Sequence, residues 1–152
     1  MRRESLVVYE NLLRAWNTRN PQAFAEAFTA DGSSIGFDGS QMNGNDEILS
    51  TICRIFDDHA TPSYVAKVRE VRLLGDRAIL IRAVAGLAPA GTRELNPALN
   101  AVQSVVLVPE GDAMRIALLQ STPAAFHGRP EIAARLTEEL NEVLHAGVLI
   151  LE

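Results

Sequence analysis

From about residue 63 the chain holds four stretches rich in β-branched and aliphatic residues, at roughly 63–74, 77–88, 98–109 and 113–121, and the turn signals Gly75-Asp76 and Glu110-Gly111 join them in pairs. Glycine beside an acidic residue supplies the positive backbone angles that a tight reversal needs, so each pair predicts a β-hairpin. Two hairpins in succession make a largely antiparallel sheet, and the apolar face of such a sheet needs a second layer to cover it. The segment between them, PAGTRELNP (89–97), carries two prolines and a glycine and predicts an exposed loop that could also act as a lid.

The covering layer is written in the first third of the chain. Leu6, Tyr9, Leu13 and Trp16 recur at three- and four-residue steps and define one face of a helix over 4–17. Asn20-Pro21 reads as a cap followed by proline at the first helical position, with Phe24 and Phe28 four apart on one face of a short second helix. After Asp31-Gly32 the spacing becomes extended, with Ser33, Ile35 and Phe37 on one side and Ser34 and Gly36 on the other, ended by Asp38-Gly39. Asn43-Gly44-Asn45 breaks the chain again. Asp46 and Glu47 then suit the positive end of a helix over about 46–58 whose buried stripe is Ile48, Ile52, Ile55 and Phe56. A last helix opens at Pro130-Glu131, with a stripe of Ile132, Leu136, Leu140 and Leu144, and stops near Gly147. The apolar tail VLILE after it is expected to dock on this chain or on a partner. This order predicts an α+β fold: a cone-shaped, curved antiparallel sheet wrapped on three N-terminal helices, in a single domain over 1–152, with 130–152 as a C-terminal helix and tail.

Composition removes several classes of function. At 152 residues and net charge −5, with Lys67 the only lysine, the chain lacks the clustered basic groups that a nucleic-acid surface needs. Its apolar runs, such as 105–108, are too short to cross a bilayer, and no basic amphipathic segment suits a membrane surface. In MRRESLVVYENLL, polar residues interrupt what would have to be a secretory apolar region, so the cytoplasm is the expected location. Cys53 lies in an apolar helical pattern and reads as a small buried hydrophobe. His59, His127 and His145 have no neighbouring ligand at metal spacing, and no phosphate-cradling or dinucleotide motif occurs, so neither a metal nor a cofactor is expected.

Several segments in this order, LLRAWNTRNPQAFAEAFTADGSSIGFDG (12–39), MNGNDEI (42–48), VVLVPEGDAMRIALLQST (105–122) and PAAFHGRPEIAARLTEEL (123–140), resemble the SnoaL-like branch of the nuclear transport factor 2-like superfamily, and within it the SgcJ/EcaC-type subfamily. The resemblance implies a sheet wrapped around helices to enclose an apolar pocket, often with dimerisation through the outer sheet face. It implies proteins of bacterial natural-product biosynthesis, some of them enzymes that use a pocket carboxylate and many that only bind. It also places the end of the first helix and the first strand beside the pocket, which makes Trp16 and Phe37 candidate ligand contacts.

Strand parity sorts the remaining candidates. A turn centred on Glu110-Gly111 would pair Leu107 with Met114, Val105 with Ile116, Gln103 with Leu118 and Ala101 with Gln120, which puts Gln103 and Gln120 on the core face. Two amides on an apolar wall can orient a ligand carbonyl or hydroxyl but cannot titrate. A three-residue turn at Gly75-Asp76-Arg77 sets Glu70 against Arg82, so Arg82 is either tied in an ion pair or a pocket cation. Tyr64, at a strand start, is a further hydrogen-bond donor with no side assigned. The leading expectation is a protein that binds a small apolar, polyketide-like ligand and pairs through the sheet face. The alternatives are a cyclase- or isomerase-like enzyme in which Asp31, Asp38 or His127 takes a proton, and a structural dimer module. Asp38 itself reads more readily as a hairpin corner than as a base.

Overall fold

The computed structural model describes residues 1–152. Three helices come early: α1 (Arg2–Asn17), α2 (Pro21–Glu26) and, after two short strands, α3 (Asn45–Asp58). Seven strands, β1 (Phe28–Ile35), β2 (Gln41–Asn43), β3 (Ser63–Leu74), β4 (Ala78–Ala88), β5 (Ala101–Glu110), β6 (Ala113–Pro123) and β7 (Ile150–Leu151), form one curved sheet in the order β2-β1-β6-β5-β4-β3-β7. Helix α4 (Pro130–His145) precedes β7. The expected α+β cone is present, with the sheet's concave side closed by α1, α2 and α3.

Sequence sets each boundary. The Asn20 side chain accepts the Ala23 amide at 3.0 Å and Pro21 takes the first helical position, so α2 starts as its cap dictates. It is shorter than the Phe24/Phe28 spacing suggested, because Phe28 already belongs to β1 and pairs with Ile116 of β6. That pairing is parallel, as is β7 on β3, while the other four pairings of the sheet are antiparallel. The core joins Tyr9, Leu12 and Leu13 of α1, Ile48 and Ile52 of α3, and the inward residues of β4–β6, among them Ile79, Ile81, Val105, Leu107 and Ile116.

Helix α4 lies on the other side of the sheet. Its Leu136 and Leu140 pack on Val84, which points outward from β4, while Ala83 and Ala85 point inward. Gly86 makes room for this contact, since a Cβ there would stand 3.2 Å from methyl groups of both Leu140 and Leu95. The VLILE tail docks on its own chain. The Ala66 amide donates to the Leu149 carbonyl at 2.9 Å, Ile150 and Leu151 lie beside Ala66 and Lys67 on the β3 edge, and Leu149 and Ile150 pack against the core. No helix is long and apolar enough to cross a membrane.

Two bulges redirect side chains. In the β3–β4 hairpin the register is Glu70 opposite Arg82, Val71 opposite Ile81 and Leu73 opposite Ile79, as the three-residue turn predicts, with a shift at Arg69. In the β5–β6 hairpin Leu107 faces Ile116 but Val106 faces Leu118, so Ala117 is an extra residue. One inserted residue reverses the face of everything beyond it.

Candidate functional site

The concave side of the sheet keeps a cavity of about 360 Å³ between α1, α3, the β1–β2 turn and the inner faces of β3–β6. Depressions of comparable size elsewhere are open surface grooves with charged walls, one including Arg14, Glu26 and Arg115 and another Arg19, Asp57 and Asp58. The inner cavity differs in kind. Leu12, Leu13, Ile52, Ile55 and Leu119 supply its aliphatic wall, and Asp38, at the rim, is its one fully charged residue.

One wall is aromatic. The Trp16 ring lies 5.9 Å from Phe24, 5.2 Å from Phe56 and 5.8 Å from Tyr64, centroid to centroid, all in tilted or edge-on contacts. Its indole N–H donates to the Pro62 carbonyl at 2.8 Å, which fixes the ring without using a cavity group. Tyr64 is held through its backbone: its amide donates to Asn17 Oδ1 at 2.7 Å, and Asn17 Nδ2 donates to its carbonyl at 3.0 Å. Its hydroxyl has no partner within the chain, and burial pushes its pKa up to about 12.

The polar end lies on β5 and β6. Gln103 is 1% exposed and Tyr9 fully buried. Tyr9 donates its hydroxyl to Gln103 Oε1 at 2.5 Å, and Gln103 Nε2 donates to Ser121 Oγ at 3.2 Å. Burial, with the nearby Tyr64 phenol adding, raises the Tyr9 pKa far above the ordinary range, so this proton stays in place at any physiological pH.

The structure brings four of the sequence candidates to this cavity, Trp16, Phe37, Tyr64 and Gln103, with Asp38 at its rim. Asp38 forms the corner of the β1–β2 turn: its Oδ1 accepts the Ser40 amide at 2.9 Å, Gly39 adopts φ 90°, and hydrogen bonds from Ser40 hold its carboxyl below the usual range. The other four lie elsewhere. Gln120, expected on Gln103's face, is exposed opposite Ser104 on the convex side, because the Ala117 bulge reverses the strand before it. Arg82 is also on the convex side, with Nη2 3.2 Å from Glu70 Oε2. Asp31 is exposed and accepts the Thr29 hydroxyl at 3.1 Å, and His127 is exposed in the turn between β6 and α4.

The alternation expected in strand one is present over residues 33–35. Ser34, paired with inward-facing Leu119, is 4% exposed, whereas Ser33 pairs with Leu118 of the convex face; Ile35 and Phe37 reach the rim. Sequence reasoning missed Tyr9, Ser34 and Ser121. Tyr9 was visible as a polar-tipped member of the α1 stripe, but Ser121 became inward-facing only through the Ala117 bulge.

No family model and no curated protein matches the chain. Solved structures do. A domain of unknown function with a cystatin-like fold from Nostoc punctiforme is similar at TM-score 0.74 and 18% identity, over 92% of this chain and 91% of that one. An NTF-2 like protein of unknown function from Shewanella oneidensis gives 0.65 and 17%, over 80% and 99%. A ketosteroid isomerase-like protein from Erwinia carotovora gives 0.63 and 15%, over 82% and 96%. At such identities the likeness is one of architecture, and it establishes that this chain has the cone of the nuclear transport factor 2-like fold.

Proposed function

We propose that this chain binds a small, largely apolar molecule in the cavity, a polyketide-like ligand of bacterial natural-product biosynthesis, and works in the cytoplasm to shield or present it. The observation that carries the reading is the cavity's chemistry: about 360 Å³, within the usual range of small-molecule sites, with aromatic and aliphatic walls and a few polar groups at one end. The likeness to a ketosteroid isomerase-like protein is consistent with a fold that holds a ligand or an active site. A fold hosts many functions, so the site carries the argument.

The test uses a neutral apolar fluorophore, N-phenyl-1-naphthylamine. Saturable emission enhancement is expected, at a stoichiometry of one per chain, and Met42→Trp at the rim should abolish it by filling the entrance. Enhancement that does not saturate, or that survives Met42→Trp in a folded variant, overturns the reading.

Asp38 favours a second reading, a cyclase- or isomerase-like enzyme, because it is the carboxylate at the rim. Its depressed pKa makes it a weak base, and on that ground we rank binding first.

We infer further that two copies pair through the convex sheet face. Beside the strip that α4 covers, Leu80, Val106 and Leu118 stand in one row across β4, β5 and β6, flanked by Val102 and Val108. Sedimentation should find a dimer at micromolar concentration that Val106→Glu dissociates; a wild-type monomer would refute the pairing.

A further inference from the structure

Tyr9 does not line the cavity, yet the orientation of the Gln103–Ser121 hydrogen bond at the cavity's polar end follows from it. Its hydroxyl is fully buried, and Gln103 Oε1, at 2.5 Å, is the acceptor it has. A buried hydroxyl without an acceptor costs the full desolvation of the group, so this bond fixes which end of the Gln103 amide faces α1. The other end, Nε2, is then turned to Ser121, and Ser121 Oγ receives its proton. An oxygen that accepts from the amide must aim its own hydrogen elsewhere. The chain offers that hydrogen no acceptor, and Ser121 lines the cavity. Tyr64 contributes a second hydroxyl to the same wall that is likewise unused within the chain.

We propose that Tyr9, acting through Gln103, sets the hydrogen-bond polarity of the cavity so that Ser121 offers a proton inward, and the site takes neutral molecules that place a carbonyl oxygen against it. Tyr9 is a positioning residue: it orders the donor without touching the ligand. A carboxylate is disfavoured at this end, because no cationic group lines the wall to offset its desolvation. A hydrocarbon of the same shape fits but leaves the Ser121 hydroxyl unpaired. This inference rests on the ligand-binding reading above and specifies the chemistry of the ligand.

The test compares 2-acetylnaphthalene with 2-ethylnaphthalene, equal in shape and differing in the carbonyl, by equilibrium dialysis against the wild type, Ser121→Ala and Tyr9→Phe. Each substitution is expected to weaken 2-acetylnaphthalene about three- to tenfold, the worth of one net hydrogen bond, and to leave 2-ethylnaphthalene unchanged. The second readout is the infrared stretch of the bound 13C-labelled carbonyl. It should lie at a hydrogen-bonded frequency in the wild type and move to its hydrocarbon-solvent value in both variants, a change that loss of packing at Tyr9 would not produce. If both probes bind but the substitutions affect them equally, or the stretch in the wild type already has its hydrocarbon-solvent value, the inference fails and the cavity remains a ligand site. If neither probe binds the wild type, the ligand-binding reading fails and takes the inference with it.

Discussion

The Arg69 guanidinium grips the Glu139 carboxylate through two hydrogen bonds, Nη1 to Oε2 at 2.6 Å and Nη2 to Oε1 at 3.0 Å, and so ties the bulge of β3 to α4 on the convex side. Lys67 Nζ reaches the same carboxylate at 3.3 Å. These contacts hold α4 in place over Val84 and confine the uncovered apolar face to β4–β6.

The pair makes stability depend on acid. Hydrogen bonding from Arg69, aided by Lys67, holds the Glu139 carboxyl down to about 2 from an ordinary 4.5. A carboxyl depressed in the folded state adds stability that is complete above the unfolded value and disappears as pH falls from about 4.5 to about 2. The pair is about one third exposed, so solvent screening reduces its worth to about 1 kcal/mol. Urea unfolding of Glu139→Gln should show that deficit at pH 7 and none at pH 2.

The same region shows what was legible in the sequence and why. Element order, the hairpin that sets Glu70 against Arg82, the α2 cap and the stripe of α3 follow from local chemistry, and all are present. The Trp16 wall was legible through family resemblance. What escaped was set by a bulge: Ala117 in β6 reverses a face, sending Gln120 out and bringing Ser121 in. A bulge arises from how neighbouring strands meet, and no local residue pattern announces it.

Gly32 is required by that meeting. A Cβ on it would stand 2.7 Å from the Ile116 carbonyl oxygen and 3.0 Å from Thr29 Oγ1, and the nearer atom is backbone, which cannot swing aside. Gly32→Ala should therefore destabilise by about 2 kcal/mol as β1 is pushed off β6. Chemical denaturation measures this; a cost under about 0.5 kcal/mol would show that the two strands part without strain.

Gln103 and Gln120, alike in sequence context, should behave oppositely. Gln103→Leu strips the buried Tyr9 hydroxyl of its acceptor and should cost about 2 kcal/mol. Gln120→Leu, on the exposed face, should change stability by less than about 0.5 kcal/mol. Denaturation midpoints of the two variants read the contrast directly, and equal costs would contradict the reversed register.

Ending the chain at Gly147 removes β7, bares the β3 edge and uncovers the core residues on which Leu149 and Ile150 pack. An uncovered edge is a template for intermolecular pairing. Loss of about 1–2 kcal/mol is expected from the two half-buried aliphatic side chains, with concentration-dependent aggregation by light scattering. A truncated chain that keeps the wild-type midpoint would mean that the tail contributes no packing.

Asp38 offers the sharpest division between a binding protein and an enzyme. Its Oδ1 accepts the Ser40 amide and its carboxyl stays ionised below the ordinary range, so the turn depends on an oxygen acceptor and not on a titrating group. Asparagine supplies the same oxygen in the same turn. Asp38→Asn should therefore leave the thermal midpoint at pH 7 and the affinity for N-phenyl-1-naphthylamine unchanged. Because the folded carboxyl is depressed, the wild type falls slightly below the variant in stability as pH drops below about 4. A variant that binds normally but no longer exchanges the α-protons of a bound ketone with solvent deuterium, where the wild type does, would identify Asp38 as a base and move the second reading to first place.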